Sequence, residues 1–292
     1  PMGVTQHNTA KRGRVLLLTL PATVYLALFF LVPFVILFWI TFWRMEHMNL
    51  IPAWTLENYR RLVSYPTVVP VLLKTLRIAA TVTVISFLLG YPFAYFLAFK
   101  VSPRTQTILS LALVFPFLVG VICRTYAWRV LLGTNGAINS FLIFVGVIEE
   151  PLTSLLFSEE SLQLVLVYNY LLFMVFPTFL SMQRVDRRLF EASADLGASP
   201  ITTFLRVGLP LSMPGVMAGA IFVFISASAA FVEPIQIGGP QGFMFANLIA
   251  LQFGAAYQWP LGGAMGLVML LIVAVLCSIF IKVVGLERIF RM

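Results

Sequence analysis

The sequence predicts an all-α membrane protein that crosses the bilayer six times, and three observations carry that prediction. Of its 292 residues 60% are hydrophobic and only 10% are charged, with a mean hydropathy of +0.98. That balance belongs to chains dissolved in lipid, not to soluble domains. Apolar runs long enough to span a bilayer recur along the chain. The basic residues collect on the side those runs would place in the cytoplasm.

Taken in order, residues 1–14 are polar, carry Lys11, Arg12 and Arg14, and are expected to form a cytoplasmic N-terminal tail. Val15 to about Trp43 follows as an apolar run. It is longer than a signal-peptide core and ends without a small-residue cleavage pattern, so it reads as an uncleaved first span. Residues 44–76 hold Trp54, Tyr59, Arg60, Arg61, Tyr65 and three prolines (Pro52, Pro66 and Pro70), and read as an extracytoplasmic loop with a short helix. Ile78 to Phe99 is the second span, closed by Lys100 and Arg104. Thr107 to about Leu132 is the third, interrupted by Pro116 and containing Arg124 and Arg129. A loop over 133–160 carries Glu149, Glu150, Glu159 and Glu160. Leu162 to Met182 is the fourth span, closed by Arg184, Arg187 and Arg188. Met213 to about Ile237 is the fifth, 238–260 is an uncharged Gly/Pro/aromatic loop, and Leu261 to Val284 is the sixth. Residues 15–292 thus read as one six-helix domain with its core at about 75–284, both termini in the cytoplasm.

Charge supports that orientation. Twelve of the nineteen Lys and Arg residues and four of the eleven acids fall on the cytoplasmic side, which leaves seven of each outside. The whole net charge of +8 therefore lies inside. The high isoelectric point reports topology and not nucleic-acid binding. Cys123 and Cys277 sit in apolar runs and suggest no disulfide framework. With His7 and His47 so scattered, no metal cluster is expected. No Gly-x-x-x-x-Gly-Lys-Ser/Thr loop occurs, so the chain lacks that means of binding ATP.

The longest polar-bearing segment in the second half is Glu191 to Pro210, between the fourth and fifth spans. Apolar residues recur at helical spacing, with Glu191 and Asp195 on one face. Gly197 falls where a first helix needs a left-handed residue after its C-cap. Ser199-Pro200 supplies an N-cap and an N1 proline for a second helix. That second helix is expected to stop near Gly208, because Pro210 removes a donor and restricts Leu209. The expectation is a short helix, a glycine elbow and another short helix at the cytoplasmic water line, within a loop of about 184–212.

Glu191-Ala192-Ser193, Gly197 and Leu209-Pro210 resemble the signature loop of the permease subunits of bacterial ABC importers, with Ser193 where that family usually has Ala. The resemblance covers nearly the whole chain from about Arg14. It extends to Leu56-Glu57-Asn58-Tyr59 in the first outer segment. Two further stretches are similar to the spermidine/putrescine branch. One is Arg124-Thr125-Tyr126-Ala127-Trp128 with Leu131-Leu132-Gly133 and Gly136-Ala137-Ile138-Asn139. The other is Gly238-Gly239-Pro240-Gln241 with Asn247-Leu248-Ile249, Gln252-Phe253 and Trp259-Pro260-Leu261-Gly262.

The resemblance implies a type I importer permease (MetI-like) fold in a bacterial inner membrane. It implies a coupling helix at Glu191, Ala192, Ser193, Asp195, Gly197 and Ala198, with Leu209 and Pro210 closing the loop. The implied partners are a second homologous permease, two ATP-binding cassette subunits that carry ATP and Mg, and an extracytoplasmic solute-binding protein. No cofactor and no enzymatic activity are expected of this chain itself. In the polyamine branch an acid usually precedes a Phe-Val-Thr-Pro piece in the fifth span. Here the piece reads Ala229-Ala230-Phe231-Val232-Glu233-Pro234, so Ala230 replaces the acid and a carboxylate stands three positions later. The implied solute is a polyamine, with an opine or another amino compound as the alternative.

The candidate solute path or gate comprises Arg124, Tyr126, Trp128, Phe231 and Glu233. Arg124 either snorkels, or pins the outer loop by pairing with one of its acids, or lines a gate or pathway. Glu233 either anchors the loop or meets the solute. Tyr126, Trp128 and Trp259 read as interfacial aromatics or as part of a cation–π cage. Small residues in the last two spans (Gly215, Gly219, Ala220, Gly262, Gly263 and Gly266) permit close helix packing. A stand-alone secondary transporter would call for inverted repeats and paired broken helices, and no such duplication is visible in the sequence.

Overall fold

The computed structural model describes residues 19–284. The basic tail before Thr19, and Glu287, Arg288 and Arg291, lie outside the described residues. The chain divides into two compact units, one of residues 19–65 with 249–268 and one of 66–248 with 269–284.

In the first unit, α1 (Thr19–Ile40) is a span with nearly every side chain exposed, as a helix bathed in lipid tails requires. A two-stranded hairpin follows, β1 (Arg44–Glu46) and β2 (Asn49–Ile51), where an irregular loop was expected. His47 and Met48 take the left-handed backbone that a tight two-residue turn demands. Next comes α2 (Glu57–Ser64). Its buried Asn58 donates to the carbonyls of Thr41 (2.7 Å) and Trp43 (2.8 Å), which α1 leaves unpaired at its end. Leu56-Glu57-Asn58-Tyr59 thus acts as a C-terminal clamp on the first span.

In the second unit, α3 (Val68–Phe99) begins ten residues before the expected Ile78. Pro70 falls in its first turn, where a missing N–H costs nothing, so it starts the helix instead of breaking it. α4 (Pro103–Val114) tightens into a 3-10 turn at Phe115–Leu118, then breaks, and α5 (Val121–Leu132) leaves it at a bend of 92° when continued through α6 (Ala137–Phe144). The expected single third span is therefore a broken one. Pro116 and the non-helical Val119-Gly120 pair supply the break, and α6 lies inside what read as a loop.

α7 (Glu159–Met182) starts on a capping box in which Ser158 and Ser161 satisfy each other's backbone donors. α8 (Arg187–Asp195) and α9 (Pro200–Ser228) form the central loop and fifth span. The expected stop near Gly208 does not occur. At Phe204–Gly208 the helix widens to a π turn in which the Leu209 N–H reaches back five residues to Phe204. The extra residue per turn lets Pro210 pass without losing the helix. At the other end α9 stops at Ser228, short of the expected Ile237, and a separate π turn covers Pro234–Gly238. α10 (Phe245–Phe253) occupies the expected uncharged loop, and α11 (Trp259–Val284) is the last span. Among the described residues five helices are long and apolar enough to cross a membrane, six if the bent pair is one span.

Helices α3, α7 and α9 make the core of this unit, around Ile78, Val82, Leu166, Met174, Ala220 and Val223. The small residues of α9 account for how close it comes. A Cβ on Gly219 would lie 3.0 Å from the Met174 Cα. One on Gly215 would overlap the Pro177 carbonyl oxygen and meet Ser181 Cβ at 2.5 Å. Gly215 and Gly219 thus form a Gly-x-x-x-Gly seam spent inside the subunit, on α7.

Candidate functional site

The segment from Asp186 to Pro210 is assembled from local rules. Asp186 caps α8 by accepting from the Arg188 N–H at 2.9 Å. At the far end Ala198 N donates to Ser193 O (3.1 Å) and Gly197 N to Ala194 O (2.9 Å), the paired bonds of a Schellman ending. Gly197 carries the positive φ of 77° that this ending needs. Ser199 Oγ then accepts from the Thr202 N–H at 3.2 Å to start α9, with Pro200 at its first position. Ser193 and Thr203 share a hydroxyl bond of 2.9 Å across the elbow. That contact gives the Ser at this position a task that Ala could not perform.

The elbow presents an unusual tip. Leu196 is 88% exposed and Ile201 71% exposed, flanked by the exposed carboxylates of Glu191 and Asp195. Glu191, Ala192, Ser193, Asp195, Gly197 and Ala198 are thus brought together. Leu209 and Pro210 sit beyond the π turn, at the root of the second limb.

The end of the unit beyond the C-terminus of α9 holds the other candidates. Glu233, 2% exposed, lies in the break after α9. Its Oε1 accepts from Asn169 Nδ2 (2.9 Å) and Tyr170 Oη (3.2 Å), both on α7. The preceding strand of chain is fixed in turn by Asn247 of α10, whose Nδ2 donates to Phe231 O at 2.8 Å. Arg124 stacks over Phe117 at 4.5 Å, Phe117 meets Phe173 edge-on at 5.7 Å, and Phe173 stacks with Tyr170 at 6.2 Å. An aromatic ladder therefore joins Arg124 to the Glu233 cluster without an ion pair. The pairing of Arg124 with a loop acid, one of the readings the sequence left open, is not found among the described residues. Glu159 is taken by Arg77 at 2.6 Å, and among the described residues no carboxylate lies within ion-pair distance of Arg124. Tyr126 is exposed while Trp128 packs on Tyr168 at 5.4 Å. Two residues apart on one helix, they face different ways and form no shared cage. Phe231 is exposed and Ala230 buried.

Asn169 and Tyr170 were not singled out in the sequence, and Asn247 entered only within a family-like stretch. An amide inside the apolar run LVLVYNYLLF was the available signal, since a polar group in a span needs a partner.

No family model matches the chain. Among curated proteins it is 34% identical over 274 residues to the spermidine/putrescine transport system permease protein PotB of Salmonella typhimurium, covering 94% of each chain. It is 36% identical over 228 residues to PotB of Escherichia coli, covering 78% of this chain and 82% of that one. The chain belongs to the ABC importer permease family that includes PotB. The same permease is 34% identical over 249 residues to the inner membrane ABC transporter permease protein YdcU of Escherichia coli, covering 82% and 78% of the two chains. Its fold matches a bacterial ABC transporter involved in the import of the acidic polysaccharide alginate, with a TM-score of 0.77 over 96% of this chain and 98% of that one, at 14% identity. It is therefore a multi-pass inner-membrane permease subunit with the expected fold class.

Proposed function

We propose that this permease forms half of the translocation path of an ATP-driven polyamine importer, and that its Glu191–Gly197 elbow couples it to an ATPase subunit. The exposed Leu196/Ile201 tip on a rigid Schellman elbow carries the coupling reading, because it offers a partner a preformed apolar knob with acidic flanks. The relatives named for spermidine and putrescine transport support the solute class. In this reading a second, homologous permease completes the path. Two ATP-binding cassette subunits hold ATP and Mg, and a solute-binding protein delivers the polyamine from outside. The termini lie in the cytoplasm, as the basic bias predicts. Closure of the ATPases pushes α8 and rocks the spans so that the cavity opens outward. Proteoliposomes holding the complex and its binding protein test the solute class. ATP-dependent uptake of labelled spermidine or putrescine is expected. Uptake of an opine or another amino compound, with polyamines excluded, would keep the architecture and trace the difference to Ala230.

Glu233 belongs to the anchor of α7 in this account. Glu233→Ala leaves two buried donors unpaired and is expected to cost about 1–3 kcal/mol of stability. Glu233→Gln keeps an acceptor for Asn169 and Tyr170, so melting temperature and uptake should both stay near wild type. A Gln variant that melts normally yet transports nothing would show instead that the carboxylate meets the solute.

A further inference from the structure

A push on α8 reaches α9 through the backbone, because the elbow and the π turn join them without a gap. It reaches α3 only through side chains. Four contacts make that link. The Phe190 ring packs at 4.9 Å on Phe99 and at 6.1 Å on Tyr95, both in the last turns of α3. Arg187 Nη2 donates to Ala98 O at 3.2 Å, and its guanidinium lies 5.8 Å over Phe99. Gly208 leaves just enough room on the other side, since a Cβ there would stand 3.3 Å from Phe190 Cε1.

A second set closes the loop of contacts. Tyr91 on α3 meets Phe204 edge-on at 5.1 Å, and its hydroxyl shares a 3.1 Å bond with Ser212, which itself donates to Gly208 O at 2.7 Å. Both anchors thus grip the π turn and α3 together. Beside them lies a cavity of about 460 Å3 lined by Tyr91, Tyr95, Phe190, Ala194, Phe204 and Gly208, among others. The Phe190 ring is stopped by α3 on one side and borders free space on another.

From this arrangement, and resting on the coupling role given to the elbow above, we propose that Phe190 is the positioning residue that makes α3 follow α8. The aromatic grip converts a displacement of a nine-residue helix into joint movement of α3 and α9, and the cavity supplies the room for that movement. Cutting the grip uncouples the motion without touching the docking tip.

The complete complex in proteoliposomes tests this by two readouts, co-purification of the ATPase subunit and solute imported per ATP hydrolysed. Phe190→Ala should still co-purify the ATPase, while the transport-to-hydrolysis ratio falls about ten-fold, within the range of coupling free energies. Phe190→Tyr, which keeps the ring, should restore the ratio. Tyr95→Leu removes the opposing wall from α3 and should lower the ratio likewise, which keeps the test decisive if Phe190→Ala does not fold. A wild-type ratio in both Phe190→Ala and Tyr95→Leu overturns the proposal. So does loss of co-purification in Phe190→Ala, since the ring would then be building the docking surface. Failure of the coupling reading itself shows separately, as an unaltered permease with which no ATPase subunit co-purifies.

Discussion

Gly197→Asp is expected to leave the permease folded in the membrane and to remove most ATP-dependent uptake. No atom lies within 4 Å of a Cβ built at this position, so the substitution meets no packing obstacle. What it meets is the backbone, held at a φ of 77°. A left-handed conformation costs a non-glycine residue about 1–2 kcal/mol, and it is relieved by opening the Schellman ending. The new carboxylate also joins Glu191 and Asp195 on a tip that already carries both. Since each 1.4 kcal/mol is worth about ten-fold, uptake should drop below about a tenth of wild type. Gly197→Asn is the control that lacks both causes. It is close to Asp in size, tolerates the left-handed region and adds no charge, so it should retain most of the uptake. Normal transport by Gly197→Asp, measured beside its membrane abundance, would contradict the coupling role of the elbow.

Gly215→Val acts at the opposite level, on the fold. Its Cβ has no place to go between the Pro177 carbonyl and Ser181 Cβ, both on the backbone or close to it. Helix α9 must then lift off α7 along the seam that buries Val216, Ala220 and Val223. Overpacking of this kind costs about 3 kcal/mol or more, and the variant should lose most of its thermal stability in detergent. Gly266→Ala is the control, because a Cβ there meets nothing within 4 Å. It should melt within a few degrees of wild type or above it, since alanine is the better helix former. Equal melting of the two variants would mean the seam is not where the subunit is held together.

The turn of the elbow was legible in the sequence at Gly197, Ser199 and Pro200, while the cap at Asp186 was not read. Its helix ends depend on Asp186, Gly197, Ser199 and Pro200, whose preferences act over three or four residues. The spans were legible from hydropathy alone. Reading failed where a longer-range choice overrode a local one. Pro210 looked like a terminator, but a π turn absorbed it. Pro70 looked like loop material, but it fell in a first turn. The 92° break between α4 and α5 needs a neighbour to receive the second limb, which hydropathy does not reveal. Asn169, Tyr170 and Glu233 stand 63 or 64 positions apart, and no spacing rule connects them. Likewise the small residues of α9 announced close packing but not its partner. The structure shows that α7 takes it.

In the proposed function this chain passes the energy of a partner's ATP hydrolysis to a polyamine. ATPase activity of the reconstituted complex with its binding protein, with and without putrescine or spermidine, tests it most directly. A polyamine at low concentration is expected to stimulate hydrolysis, and Gly197→Asp to remove the stimulation. Hydrolysis that ignores polyamines but rises with another solute would contradict the solute assignment. Hydrolysis that ignores every solute and is unchanged by Gly197→Asp would contradict the coupling itself.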